Sequence, residues 1–441
     1  MSYYLAALYA LHGSIKRAYW HPEKIRRHQE KNLKKVIRYA YENVPFYHRK
    51  FKEWKINPYE INSIEDLNKI PVTEKKELRS NLTSAVSREF NISSLRMLST
   101  SGSTGKPLNV FISKKEDLIR KIKHVRANMS CGQKLWDKWA AITSPSHFSE
   151  VSGFHRKIGF FSPIFISVFE STEAQLSKIE KIKPDVLGGY SSSLVLLAKE
   201  SEKRGSNEVK PRIIFSGAEL LDDKSRLLIE KTFNAPVYDQ YAIIELERVA
   251  WQCCEKKKYH IDADFIITQF IDKNCEEVSA GERGSIVCTS LFNYAMPLIR
   301  YAVGDIGVPS DEICSCGRSL PLMGVIEGRR DSLLSLPGGR LLSPRTMTIT
   351  MNSFELSYFI DQFRIIQRKP SLIDIYVKLK EDKKVDNWGF KRKLLAHIER
   401  SLNLSASEEF FEIEFVENLP LDKSGKFSSV ISELDCERNE K

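Results

Sequence analysis

Thr100-Ser101-Gly102-Ser103-Thr104-Gly105-Lys106-Pro107 lies between an apolar stretch ending at Leu98 and the strand-like run Leu108 to Ile112. Its glycines let a backbone approach a phosphate closely, and the hydroxyls with Lys106 supply donors and positive charge. Only Ser103 and Thr104 separate the glycines, where a Walker-type loop has four residues and opens straight into a helix. Here the next helix starts at Ser113, with Glu116 completing a capping box. The octapeptide therefore reads as a flap that joins two strands over a triphosphate. Taken alone, it also fits an ordinary Gly/Ser hairpin turn.

Outward from this loop, Leu95 to Val237 alternates strand-like runs with helix-like ones. Ala140 to Thr143, Val186 to Leu187 and Arg212 to Phe215 read as strands; Ser193 to Lys203 and Asp222 to Phe233 read as helices. That alternation predicts a parallel-rich α/β sheet. Upstream, Leu33, Val36, Ile37, Ala40 and Tyr41 repeat at helical spacing until Pro45 ends the helix. Beyond Gly328 the pattern becomes a small α+β unit. Phe363 to Gln367 pairs with Ile373 to Leu379, Trp388 to Leu402 forms a helix, and Phe411 to Val416 alternates as a strand. The expected class is α/β. A large N-terminal domain, 1–330, has a helical opening region at 1–94, and a small mobile α+β lid spans 331–441.

The 441 residues exceed what one core usually supports, and 42% hydrophobic content excludes disorder. A net charge of +11 is spread along the chain, with no zinc-finger, RRM or KH signature, so no nucleic acid partner is expected. No apolar run reaches the ~20 residues needed to span a bilayer. Met1 to Ala10 is short and lacks a charged leader, so it reads as a docked or interfacial helix. Peripheral membrane contact and a homodimer are both compatible with this chain. Eight cysteines without a secreted spacing point to a reducing, cytoplasmic location.

Five further motifs follow the loop in a fixed order. They are Ser216-Gly217-Ala218-Glu219, Tyr241-Ala242-Ile243-Ile244-Glu245, Tyr301-Ala302-Val303-Gly304-Asp305, Gly328-Arg329-Arg330-Asp331, and Pro420 through Gly425-Lys426. With residues 100–107 they resemble the signature set of the adenylate-forming superfamily of acyl-CoA synthetases and related ligases. The opening region through Pro71, Gly188-Gly189-Tyr190 and Cys314-Ser315-Cys316-Gly317-Arg318 resemble the phenylacetate–CoA ligase and CapK branch.

The resemblance implies ATP-dependent formation of an acyl-AMP from a small-molecule carboxylic acid, then acyl transfer to CoA, another thiol or an amine. It assigns ATP to Thr100, Ser101, Gly102, Ser103, Thr104, Gly105, Lys106 and Tyr241, with Gly217, Ala218 and Glu219 in the adenine-contacting segment. Asp305 would hold the ribose hydroxyls, Arg329 the phosphate or ribose, and Glu245 Mg²⁺. Lys426 would neutralise charge between carboxylate and α-phosphate, and Asp331 would be the hinge of a lid that turns between half-reactions. Ala242 and Ile244 stand where the superfamily has Gly and Thr.

Cys254 and His260, with the knuckle-like Cys314-Ser315-Cys316-Gly317, have the composition of a closed structural zinc site, and Cys253 competes for the first position. The alternative is a set of buried thiols beside an unrelated histidine. Three functions remain open on sequence: a CoA ligase, an amide ligase or adenylyltransferase of cell-surface polysaccharide assembly, and a degenerate, non-catalytic nucleotide-binding protein.

Overall fold

The computed structural model describes residues 2–100, 108–145, 162–256, 258–324, 328–329, 333–336, 341–342, 344–380, 386–402, 404, 410–422 and 426–434. The chain opens with α1 (Ser2–Arg17), α2 (Pro22–Asn43), α3 (Pro45–Glu53) and α4 (Lys75–Ser80). Pro45 does more than end α2. It is the first residue of α3, where its fixed φ suits the helix and its missing N–H costs nothing. The buried stripe Leu33, Val36, Ile37 and Ala40 packs α2 into the largest core.

Strands β1 (Arg96–Ser99) and β2 (Asn109–Ile112) form the antiparallel ribbon expected around the glycine loop. Helix α5 (Lys114–Ser130) follows, its N-terminus closed by the Ser113–Glu116 capping box. Next come β3 (Trp139–Thr143), β4 (Pro163–Ser167), α6 (Thr172–Ile182), β5 (Val186–Tyr190), α7 (Ser191–Arg204), β6 (Ile213–Gly217), α8 (Asp223–Phe233) and β7 (Val237–Ile243). Strands β3 to β7 pair in parallel, as helical crossovers require.

The sheet continues antiparallel through β8 (Glu247–Gln252), β9 (Tyr259–Ile261) and the short β13 (Pro309–Ser310) and β14 (Leu322–Met323). The nine-stranded order is β13-β14-β9-β8-β7-β6-β5-β3-β4. A second, antiparallel sheet joins β10 (Ile266–Ile271), β11 (Gly284–Ser290), β12 (Tyr301–Gly307) and β15 (Gly328–Arg329).

A separate core begins at Leu334. It lies among the ribbon β16 (Leu334–Ser335) and β17 (Leu341–Leu342), α9 (Pro344–Ser353), α10 (Asn387–Leu402), and the sheet of β18 (Ile360–Lys369), β19 (Leu372–Leu379), β20 (Phe411–Phe415) and β21 (Val430–Ser432). The expected α/β class with a small α+β C-terminal part is observed. Among the described residues no helix is long and apolar enough to cross a membrane.

Helix α1 is docked by charge as well as by apolar packing. Arg17 of α1 and Arg126 of α5 both bond Asp264, at 2.8 and 2.7 Å, and Arg126 also bonds Asp262. Arg126 and both carboxylates are fully buried, so each charge needs the others to offset its desolvation.

Candidate functional site

Parallel α/β sheets present their ligands at the carboxyl ends of the strands. Here those ends carry Thr143 and Ser144, Tyr190, Gly217 to Glu219, and Tyr241. Gly217 leaves little room for a side chain, since a Cβ would stand 3.0 Å from the Gln240 carbonyl oxygen. Ala218 follows in the left-handed region at φ +66°, a strained conformation of the kind that persists at functional sites.

Glu219 then points back across the strand ends. Its carboxylate accepts from Ser192 N at 2.8 Å, Ser192 Oγ at 3.1 Å and Phe427 N at 2.7 Å. Burial raises the Glu219 pKa above the ordinary carboxylate value, and the N–H donors and the Lys426 charge only partly oppose that.

Two tyrosine–carboxylate pairs face the same region. The Tyr241 hydroxyl donates to Asp305 Oδ2 at 2.6 Å, and burial together with the Asp305 charge pushes its pKa well above the usual phenol. Asp305 follows Gly304, whose φ of +90° favours glycine. The Tyr301 hydroxyl donates to Glu245 Oε1 at 2.8 Å, and Lys75 Nζ stands 3.2 Å from the same oxygen. Arg120 fixes the backbone beneath, donating to the carbonyls of Ile244 at 2.8 Å and Glu245 at 3.2 Å.

Lys426 sits in a tight turn in which its N–H donates to Asp422 Oδ1 and its carbonyl accepts from Asp422 N, each at 2.9 Å. The turn rests on the strand ends of the large sheet. Phe427 N is held by Glu219, Lys426 Nζ lies 5.9 Å from the Tyr190 ring centroid, and Leu421 packs against the core under β5 and β6. Lys199 to Asp361 at 2.6 Å and Asn352 to Asp222 at 3.1 Å add polar contacts between the C-terminal part and α7 and α8.

Several sequence-predicted residues are thus gathered at one mouth: Gly217, Ala218, Glu219, Tyr241, Glu245, Asp305 and Lys426. Thr100 closes the neck of the ribbon, donating its N–H to the Leu108 carbonyl at 3.0 Å while its Oγ1 accepts from Leu108 N at 2.9 Å. Ser101, Gly102, Ser103, Thr104, Gly105 and Lys106 lie outside the described residues, as does Asp331. Arg329 is described only in its backbone, which pairs with Asp305 in the β12–β15 register. Sequence reasoning placed Tyr190 in a branch motif but missed Lys75 and Arg120. Both lie far in sequence from the motif they support, and no local spacing marks them.

The cysteines assemble differently from expectation. Cys253, His260, Cys314 and Cys316 place one ligand atom each within 4.8 Å of the others. Cys254, placed in this set from sequence, is replaced by its buried neighbour Cys253. Its own thiol is exposed, 3.8 Å from Glu255 Oε1. Cys253 Sγ to Cys314 Sγ is 3.6 Å and Cys316 Sγ to His260 Nε2 is 3.3 Å. Those spacings fit the edges of a tetrahedron with metal–sulfur bonds of about 2.3 Å, and three thiolates with one imidazole suit zinc.

No protein-family model matches the chain. It is 28% identical over 359 residues to phenylacetate–coenzyme A ligase of Thermus thermophilus, covering 80% of each chain. It is 23% identical over 418 residues to protein CapK of Staphylococcus aureus, covering 92% of this chain and 89% of that one. Among solved structures, 2-hydroxyisobutyryl-CoA ligase in the postadenylation state, with an acyl-AMP bound, superposes with a TM-score of 0.77 at 20% identity, over 92% of this chain and 89% of that one. The same ligase in its thioesterification state gives a TM-score of 0.62 at 20% identity, over 95% and 91%.

Proposed function

We propose that this chain, an adenylate-forming ligase of the phenylacetate–CoA ligase-like branch, activates a small-molecule carboxylic acid as its acyl-AMP and transfers the acyl group to the thiol of CoA. The observation that carries this reading is the seating of the Lys426 turn on Glu219, beside Tyr190 and across the mouth from the Tyr241–Asp305 pair. A carboxylate lacks a leaving group, and attack on the α-phosphate of ATP supplies one with release of pyrophosphate. Charge builds on phosphate oxygens, so the residues act by position and by field.

Lys426 is a point charge for the carboxylate and the α-phosphate. Asp305, oriented by Tyr241, accepts the ribose hydroxyls, and Arg329 supports phosphate or ribose. Residues 100–106 cradle the β- and γ-phosphates. Glu245, held by Tyr301 and Lys75, offers one hard carboxylate oxygen, which suits Mg²⁺ bound mainly through phosphates and water. When bound, Mg²⁺ neutralises phosphate charge. Cys253, His260, Cys314 and Cys316 would hold a zinc ion, which would supply structural support rather than chemistry because four protein ligands would surround it.

In this reading the C-terminal part turns about Asp331 after adenylation and admits the thiol. The better superposition on the postadenylation state than on the thioesterification state supports assigning this arrangement to the first half-reaction. Seven cysteines without disulfides among the described residues fit a reducing cytoplasm. A second reading, an amide-forming ligase, follows from the CapK-like resemblance of the sequence, and the chain matches protein CapK along 92% of its length.

Carboxylate-dependent exchange of pyrophosphate into ATP, with Mg²⁺ and a broad acid panel, tests the first half-reaction. CoA and amine acceptors then separate the two readings. No exchange with any acid, together with no ATP binding by calorimetry, refutes the ligase.

A further inference from the structure

Below the mouth of the site, on the sheet face covered by α5, lies a polar cluster that adenylate chemistry does not use. His124 and Asn128 come from α5, Gln133 follows it, Trp139 comes from β3, Gln240 from β7, and Glu247 and Arg248 from β8. Gln240 immediately precedes Tyr241 and pairs in register with Gly217 of the nucleotide segment. A Cβ on Gly188 would stand 3.2 Å from Trp139 Nε1, so the absence of that side chain lets the indole reach under the strand that ends at Tyr190.

The members are bonded to one another. Gln240 Nε2 donates to Asn128 Oδ1 at 2.9 Å, Asn128 Nδ2 to Gln133 Oε1 at 2.8 Å, and Arg248 Nη2 to His124 Nδ1 at 2.8 Å. The His124 ring stacks on Trp139 with centroids 5.4 Å apart. The His124 side chain keeps 32% exposure and Gln240 is half-buried, so the cluster has an accessible side.

Three hydrogen-bonding groups here are buried without a partner: Arg248 Nε, Gln133 Nε2 and Trp139 Nε1. Arg248 is 2% exposed and Gln133 3%. Each unmade bond costs about 1–3 kcal/mol, so three in one place need an explanation. All three are donors, and the group they lack is therefore an acceptor. Charge narrows it further. Glu247 Oε1 lies 3.8 Å from Arg248 Nη2 and 3.2 Å from His124 Nδ1, which already balances the arginine. The neighbouring cations of α5 spend N–H groups on backbone carbonyls, Lys123 on that of Leu246 and Arg120 on those of Ile244 and Glu245. A carboxylate entering beside Arg248 would be desolvated next to Glu247, a like charge already seated there.

Resting on the ligase reading above, we propose that this cluster receives the tail of the acid, and that the acid carries a neutral oxygen acceptor, a hydroxyl or a carbonyl, at the end remote from the reacting carboxylate. A site built around polar groups rejects the analogue that leaves them unpaired far more strongly than an apolar pocket rejects an extra methyl.

The test is pyrophosphate exchange on matched aryl and alkyl acids, each with a distal hydroxyl or carbonyl, a methyl isostere, or a second carboxylate. Wild type is expected to prefer the oxygen-bearing acid over its methyl isostere by roughly 10⁴-fold in kcat/KM. Gln133→Leu and Trp139→Phe each remove one of the unpaired donors and should bring that ratio down by roughly 10-fold or more. Trp139→Phe, at the half-buried position, decides if Gln133→Leu does not fold. A wild-type preference for the methyl isostere or the dicarboxylate, or a ratio unmoved in the folded variants, overturns the assignment. No exchange with any acid is a different result, and it refutes the ligase reading itself.

Discussion

Glu219 is the residue through which the C-terminal turn touches the nucleotide side of the site, and replacing it should separate the two half-reactions. The contact is one charge-assisted bond, Phe427 N to Glu219 Oε1 at 2.7 Å. Bonds of this kind contribute about 1.5–3 kcal/mol net. If this bond forms only when the turn is seated, Glu219→Ala lowers the seated population by roughly 10- to 100-fold. Glu219→Gln keeps an acceptor oxygen without its charge, so it should cost about 1 kcal/mol, roughly five-fold. Pyrophosphate exchange should fall by these factors. Capture of a supplied acyl-adenylate by CoA should stay near wild type, because the lid has then turned away.

Stability should move the other way for the glutamine. Burial raises the Glu219 pKa in the folded state, so the ionised form at neutral pH is held at a cost that an uncharged amide does not incur. A thermal melt of Glu219→Gln at or above wild type, with slower exchange, is the combined signature. Equal loss in both half-reactions by a well-folded variant would refute the idea of a latch.

Other outcomes follow from the same geometry. Lys426→Ala should lower adenylation by ~10²–10³-fold while leaving thiol capture of a synthetic adenylate near normal, read by the two half-reactions separately. Purified protein should hold about one zinc per chain by elemental analysis. Cys253→Ser should lose that metal, and Cys254→Ser should keep it, since only Cys253 is in the four-residue set. Burial pushes the Lys123 pKa down to about 8 from 10.5. Below pH ~8 both native and unfolded states are protonated there, so the penalty is fully present. Between about 8 and 10.5 the unfolded state binds more protons, so stability rises with pH by up to roughly 3 kcal/mol. Urea unfolding at pH 7 and pH 10 should show that gain in wild type and its loss in Lys123→Met.

The elements that sequence reading located best are those whose periodicity is local. The strands β3, β5 and β6, the helices α7 and α8, and the capping box before α5 all lie within a residue or a few of expectation. Pro45 was read as a stop only, because a proline marks a boundary without telling which side of it is helical. Adjacent cysteines cannot be ranked from spacing, and burial alone separates Cys253 from Cys254. Lys75, Arg120 and the donor cluster around Arg248 were not legible at all. Their meaning lies in contacts across more than a hundred residues, such as Arg120 to the Ile244 carbonyl and Gln240 to Asn128.

The altered third motif shows how such contacts decide a question that residue identities leave open. Ala242 and Ile244 replace a glycine and a threonine of the superfamily pattern, and a degenerate site was one reading of that change. Ala242 is exposed and is not among the positive-φ residues, so losing the glycine strains no backbone there. Ile244 removes a hydroxyl, a loss of about 1.5–3 kcal/mol if that group met a charged phosphate oxygen. It does not release Glu245. Arg120 pins the carbonyls of both residues, and Tyr301 and Lys75 pin the Glu245 carboxylate. Lys75, with its side chain 29% exposed, also adds positive charge beside the carboxylate. The motif has therefore lost one donor while its acidic residue stays where the reaction needs it, which favours a working ligase of altered efficiency over an inactive relative.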